Sequence, residues 1–157
     1  LALIVVLLAS LSLGAGKRPL TAKTNPWQVS YDGALRQSRT LKKPILMCFV
    51  GSDWCMDCMH LVKETLSSGE FAAWAANNVV MLVVDFPKET PQSPQVKKQN
   101  QALKDKYNVK GYPNMLLLSS TGEVIDRFAG YHGKEKWQKR LQEAMEKVET
   151  KPRTKAT

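Results

Sequence analysis

Cysteine is scarce in this sequence. Three cysteines among 157 residues are too few for a small fold stapled by disulfides, and no second closely spaced pair exists to complete a four-thiolate zinc site. Only two histidines are present, His60 and His132, and Met59 rather than His follows Cys58. Covalent haem attachment, which needs His directly after a Cys-x-x-Cys pair, is therefore excluded. Acid is also in deficit: 14 Asp and Glu against 23 Lys and Arg leave a formal charge of +9. The lysines are spread along several segments, and no nucleic-acid motif accompanies them. The charge thus reads as a solvated basic surface, with no nucleic-acid partner expected. No internal repeat is visible.

What is present begins with an apolar stretch. Leu1 to Leu13 is almost wholly apolar, Gly14-Ala15-Gly16 adds small residues, and the first charge comes at Lys17. This pattern matches the h-region and cleavage site of a secretory signal peptide. Thirteen helical residues reach about 20 Å, short of a hydrocarbon core of about 30 Å, so a permanent membrane span is the weaker reading. The opening Leu and the missing basic n-region suggest a leader truncated at its start. The expected organisation is a leader over 1–16, a linker over 17–26, one domain over 27–148 and a disordered basic tail over 149–157. A leader would place the mature domain in the periplasm or otherwise outside the cytoplasm, where disulfides persist.

The stretch Gly51-Ser52-Asp53-Trp54-Cys55-Met56-Asp57-Cys58 carries the chemistry. Ile45 to Val50 is a continuous apolar run between Pro44 and Gly51, the mark of a strand covered on both faces. A helix then begins near Cys55, carrying Met59, Val62 and Leu66 inward. Residues i and i+3 share a helix face, so Cys55 and Cys58 can reach disulfide distance. At the helix start, free N–H groups and the macrodipole stabilise a Cys55 thiolate, while Cys58 sits a turn further in. A redox pair is the favoured reading. A mixed metal site using Cys48, Cys55, Cys58 and one histidine stays open as the alternative.

The remaining elements follow from pattern. Trp27-Gln28-Val29 reads as a short strand, and Ser30 caps a helix to about Lys42 with Tyr31, Ala34, Leu35 and Ser38 at three- and four-residue spacing. Glu70 to Ala76 is a short helix and Val79 to Phe86 a second buried strand. Ser93-Pro94 opens a helix over Gln95 to Tyr107, with Val96, Leu103 and Tyr107 facing inward. Asn114 to Leu118 is a third buried strand, and Glu123 to Phe128 its hairpin partner across Ser119-Ser120-Thr121-Gly122. Gly133 to Val148 is an amphipathic helix presenting Trp137, Leu141, Ala144 and Val148.

This order, β-α-β-α-β-β-α, with Trp-Cys-x-x-Cys after the first long strand and Gly111-Tyr112-Pro113 before the hairpin, resembles the thioredoxin superfamily over about Trp27 to Val148. Lys43-Pro44-Ile45-Leu46 followed by Gly51-Ser52-Asp53-Trp54-Cys55 is similar to secreted bacterial thioredoxin-like disulfide oxidoreductases and isomerases, and more loosely to chlamydial Dsb-type periplasmic proteins. The resemblance implies an α/β thioredoxin fold, a central mixed sheet flanked by helices. It implies that Cys55 is the nucleophile and Cys58 the resolving thiol of a redox-active disulfide that needs no cofactor and no metal. It also implies a cis bond before Pro113, with the backbone of Tyr112 offering hydrogen bonds to substrate. From the dipeptide alone an ordinary trans proline would be the better reading.

Two departures from the family pattern matter. Met56-Asp57 replaces the Gly-Pro of thioredoxins and the Pro-His of strongly oxidising Dsb proteins, and negative charge at Asp57 disfavours a Cys55 thiolate, which tilts the pair toward reduction. The position of the buried acid found in many thioredoxins holds Phe49, leaving Asp53 or a water to move the proton of Cys58. Trp54 reads as a shield beside the disulfide or as a core tryptophan, and Cys48 as a buried apolar side chain rather than a regulatory thiol. His60 and His132 read as surface residues. Met47, Met59 and Met115 read as core filler rather than a copper site.

The leading function is thus a periplasmic thiol–disulfide oxidoreductase, monomeric, acting on protein thiols and disulfides as a reductase and reset by a membrane electron donor. The alternatives are a disulfide isomerase, a non-catalytic binding or chaperone protein of the same fold, and a metallochaperone.

Overall fold

The computed structural model describes residues 27–150. The leader over 1–16, the linker over 17–26 and the tail beyond Thr150 lie outside them. The described chain forms α1 (Tyr31–Leu41), β1 (Ile45–Val50), α2 (Met56–Leu61) continued by a π-helical turn (Val62–Leu66), α3 (Gly69–Asn78), β2 (Val80–Asp85), α4 (Pro94–Lys106), β3 (Asn114–Leu118), β4 (Val124–Ala129) and α5 (Lys134–Thr150). This is the α/β thioredoxin fold. Helix starts are set by hydroxyl caps: Ser30, Ser68 and Ser93 each accept a backbone N–H from the third residue on. The helix α5 runs through Glu149 and Thr150, two residues assigned to the tail, because nothing breaks a helix before Pro152. The expected strand at Trp27-Gln28-Val29 shrinks to a single parallel bridge between Gln28 and Leu82.

The sheet order is β2-β1-β3-β4, with β1 parallel to β2 and antiparallel to β3. Alternate residues face opposite sides of a strand, and the core divides accordingly. Leu46, Cys48 and Val50 pack with Leu61, Phe71, Trp137 and Leu141 of α2, α3 and α5. Ile45, Met47 and Phe49 pack with Ala34, Leu103 and Tyr107 from the α1 and α4 side. Three layers result, which explains why β1 is buried along its whole length.

Register does most of the work of bringing the site together. Phe49 pairs with Asn114, Val50 with Asp85, and Asn114 with Ala129. The end of β1 that feeds Gly51–Cys58 therefore lies beside the segment leaving β2 at Phe86 and the Tyr112-Pro113 entry to β3. The exit of β4 joins them, as Gly130 N–H donates to Pro113 C=O at 2.9 Å.

One helix departs from expectation. The apolar spacing puts Val62 inward, yet it is 37% exposed, and Leu61 and Thr65 are buried instead. Cys58, Leu61 and Thr65 recur at three- and four-residue steps of their own, so the inward face is rotated by one position from the stripe of Met59 and Val62.

Candidate active site

Cys55 occupies the N-cap of α2 in an extended conformation, and its Sγ accepts the Cys58 N–H at 3.2 Å. The two cysteines are joined by a disulfide with Cα atoms 5.2 Å apart. Their exposures differ: Cys55 is 8% accessible and Cys58 only 1%. Between them Met56 stands 63% exposed, and Asp57 is exposed in the first turn with no hydrogen-bond or ionic partner among the described residues.

Trp54 is neither a core tryptophan nor free. Its indole N–H donates to Phe86 C=O at 2.7 Å, its ring meets the Tyr112 ring edge-on at 5.5 Å, and the Lys88 ammonium lies 4.5 Å from its centroid. Phe86 also packs on Tyr112 at 5.4 Å, and Lys104 covers both rings. Tyr112 and Pro113 are joined by a cis peptide bond. Trp54, Phe86 and Tyr112 thus form one aromatic patch beside the exposed end of the disulfide.

Asp53 cannot serve as the stand-in proton carrier. Its carboxylate accepts the backbone N–H groups of Lys88, Glu89 and Thr90 at 2.9, 2.8 and 2.9 Å. These bonds, that of Lys88 foremost, hold its pKa down to about 2. A carboxylate so stabilised stays ionised and takes up no proton near neutrality. Phe49, which an ungapped match on Trp54-Cys55 puts at the position of the buried acid, lies on the opposite side of the sheet from the cysteines, whereas Cys48 and Val50 share their core. The β1 residues on the cysteine side are therefore all without a carboxylate.

Cys48 is fully buried, and burial pushes its thiol up to about 12. Thiol labelling of the folded, reduced protein should therefore modify Cys55 rapidly and leave Cys48 unmodified until denaturant is added; fast labelling of Cys48 would contradict its burial. Met47 and Met115 belong to opposite faces of the sheet, so the methionines do not converge on a copper ion. Among the described residues no group of three or more His, Cys, Asp or Glu side chains is placed to hold a metal. His60 sits at the surface with Nδ1 3.2 Å from Glu64 Oε1, and His132 is exposed.

Several features had no sequence signal. The Tyr131 hydroxyl donates to Glu64 Oε2 at 2.7 Å and lies 3.2 Å from the buried Thr65 hydroxyl, tying the π-helical turn to the exit of β4. Buried Asn100 donates to Asp85 C=O at 2.9 Å and steadies the end of β2. The Asp85 carboxylate accepts both the N–H and the hydroxyl of Ser52, at 2.9 and 2.6 Å. Each of these depends on residues more than a dozen positions apart, which no local pattern reports.

A disulfide at the N-terminus of a helix that follows the central strand of this mixed sheet, with a cis-proline turn at the same end, defines a domain of the thioredoxin type. The family model described as Thioredoxin-like domain matches residues 31–145, and the chain belongs to that family. More particularly, it is 37% identical over 110 residues to the disulfide bond reductase DsbH of Chlamydia pneumoniae, an alignment covering 70% of this chain and 66% of the relative. It is 36% identical over 105 residues to the thioredoxin-related protein DsbJ of Chlamydia pneumoniae, covering 67% of this chain and 30% of that one. The chain thus spans just under two thirds of the first of these curated relatives and less than a third of the second. The solved structure of a DsbH oxidoreductase superposes with a TM-score of 0.72 at 33% identity, covering 82% of this chain and 90% of that one.

Proposed function

We propose that the protein reduces disulfides in polypeptide substrates, with Cys55 as nucleophile and Cys58 as resolving thiol. The observation that carries this reading is the unequal burial of two bonded sulfurs at the start of α2. In the reduced protein, free N–H groups at the helix start stabilise a Cys55 thiolate. This thiolate attacks one sulfur of the substrate disulfide, and the other substrate sulfur leaves as a thiolate and takes up a proton. Cys58 then loses its proton and attacks Cys55 Sγ. The mixed disulfide breaks, the Cys55–Cys58 bond forms, and the substrate departs with two more electrons than it brought. The proton of Cys58 passes to water, given that Asp53 is spent on the 88–90 backbone.

Substrate is held in extended form against the backbone of Tyr112, beside the cis bond to Pro113, with Trp54 and Met56 as apolar flanks. The protein works as a monomer in the periplasm or otherwise outside the cytoplasm, delivered by the leader over 1–16. It is returned to the dithiol state by a membrane-borne dithiol donor. The reductase named among the relatives supports this direction, and so does the charge of Asp57.

The test is reduction of insulin by dithiothreitol with and without the protein. Acceleration supports the reading, and its absence would leave a binding or chaperone role. Direction is tested by the midpoint potential of the pair against glutathione. Removing the negative charge in Asp57→Asn should stabilise the thiolate, and hence the dithiol form, making the pair more oxidising by about 10–30 mV, since tenfold in equilibrium is about 30 mV for two electrons. The shift should shrink at high salt, because Asp57 is exposed. An unchanged or more reducing variant would defeat the argument from Asp57.

A further inference from the structure

The three residues ahead of Cys55 all reach across to one stretch of chain. Ser52 bonds to Asp85, Asp53 to the N–H groups of residues 88–90, and Trp54 to Phe86. Phe86 is also tied to β1, its N–H donating to Val50 C=O at 2.9 Å, but residues 88–90 have little else to hold them. Lys88, Glu89 and Thr90 are exposed, they belong to no helix or strand, and they lie between Pro87 and Pro91. Their N–H groups have one common acceptor, the Asp53 carboxylate, and three charge-assisted bonds to a single side chain are a strong local constraint. The segment so fixed carries Phe86 and Lys88 onto Trp54 and Tyr112, the side chains around the exposed end of the disulfide.

We propose that Asp53 is the positioning residue of a second substrate wall, Phe86–Thr90, which continues the Trp54–Tyr112 aromatic patch beside the cysteine pair and favours polypeptide disulfides over small ones. The inference rests on the oxidoreductase reading above and adds to it a positioning residue and a basis for preferring polypeptide over small disulfides. A small disulfide needs only access to Cys55 Sγ. A polypeptide carries chain on both sides of its cysteine, and chain that runs along Tyr112 also meets the aromatic patch and the wall behind it. Order in that wall then lowers the cost of binding, because the segment need not be immobilised by the substrate itself.

Another account of Asp53 is available: a negative charge two residues before Cys55 could act on the thiolate alone. The two accounts separate in a ratio. Any change in thiolate reactivity affects every substrate of Cys55, whereas a loosened wall affects only substrates long enough to touch it. The experiment is therefore kcat/KM for insulin divided by kcat/KM for hydroxyethyl disulfide, in wild type and in Asp53→Asn. An amide oxygen cannot replace a carboxylate that accepts three N–H groups, so the wall loosens. The ratio should fall about tenfold, chiefly through a higher KM for insulin, the scale set by losing one or two charge-assisted hydrogen bonds. Lys88→Ser, which strips a wall side chain while leaving the clamp in place, should lower the ratio by about threefold, on the scale of a single exposed cation–π contact. A folded Asp53→Asn with a ratio within twofold of wild type overturns the inference. Should that variant fail to fold, an unchanged ratio in Lys88→Ser overturns it instead. Failure of the wild-type protein to reduce either substrate defeats the oxidoreductase reading first, and the inference with it.

Discussion

Cys55→Ser should abolish disulfide reduction, a fall of about a thousandfold or more, the scale on which loss of a covalent nucleophile is felt. Cys58→Ser should behave differently. Its Cys55 thiolate can still attack, but no internal thiol remains to release the substrate, so the mixed disulfide accumulates. Mass spectrometry of each variant after exposure to a disulfide-bonded substrate is the decisive measurement: a stable adduct is expected on Cys58→Ser and none on Cys55→Ser. The assignment follows from burial. Both cysteines belong to the same core cluster, but Cys58 is 1% accessible and Cys55 8%, so Cys55 is the one that substrate can reach. Cys48 offers no rescue in either variant, because its thiol is buried and held in the protonated form. An adduct on Cys58 in the Cys55→Ser variant would reverse the roles.

Gly51→Ala should be the most damaging small substitution at the site. Gly51 has no need of glycine for its backbone angles, since among the described residues the positive-φ glycines are Gly122, Gly130 and Gly133. Its requirement is steric. A Cβ at this position would lie 2.5 Å from Trp54 Cε2 and 2.7 Å from Cζ2 and Nε1, inside any tolerable contact. The indole has little room to give way, being bonded to Phe86 and bounded by Tyr112 and Lys88. Overpacking of this kind costs about 1–3 kcal/mol, and loss of the Trp54–Phe86 hydrogen bond adds roughly 1 kcal/mol. A destabilisation of about 2–4 kcal/mol is expected in denaturant unfolding, together with loss of insulin reduction as the aromatic patch is displaced. The mechanism can be isolated by a double-mutant cycle: Trp54→Ala should cost less in the Gly51→Ala background than in wild type. Additive effects would show that the indole is not what the methyl group meets.

What could be read in advance was what local chemistry fixes. The runs Ile45–Val50 and Asn114–Leu118 are continuous and apolar because both faces of those strands are covered, and both strands begin and end where the pattern places them. The cysteine pair announces itself by spacing. The illegible parts are those in which distant chain supplies the partner. Asp53 beside two cysteines looks like an acid available for proton transfer, and only the approach of residues 88–90 converts it into a brace. Asn100 looks like a surface amide of α4 until β2 presents the carbonyl of Asp85. Val62 falls outward because the buried face runs through Cys58, Leu61 and Thr65, and a threonine on that face hides it from an apolar pattern.

The full burial of Cys48 bears on the life of the chain before it is folded. An unfolded chain holds three thiols that can pair in three ways, and only the Cys55–Cys58 pairing is compatible with a closed core. In an oxidising compartment, collapse of β1 into the sheet must therefore outrun oxidation, or Cys48 is captured in a bond that bars the strand from its place. The packing that makes Cys48 inert in the native state thus acts as a sorting step, leaving only the reactive pair within reach of oxidants once the core has closed.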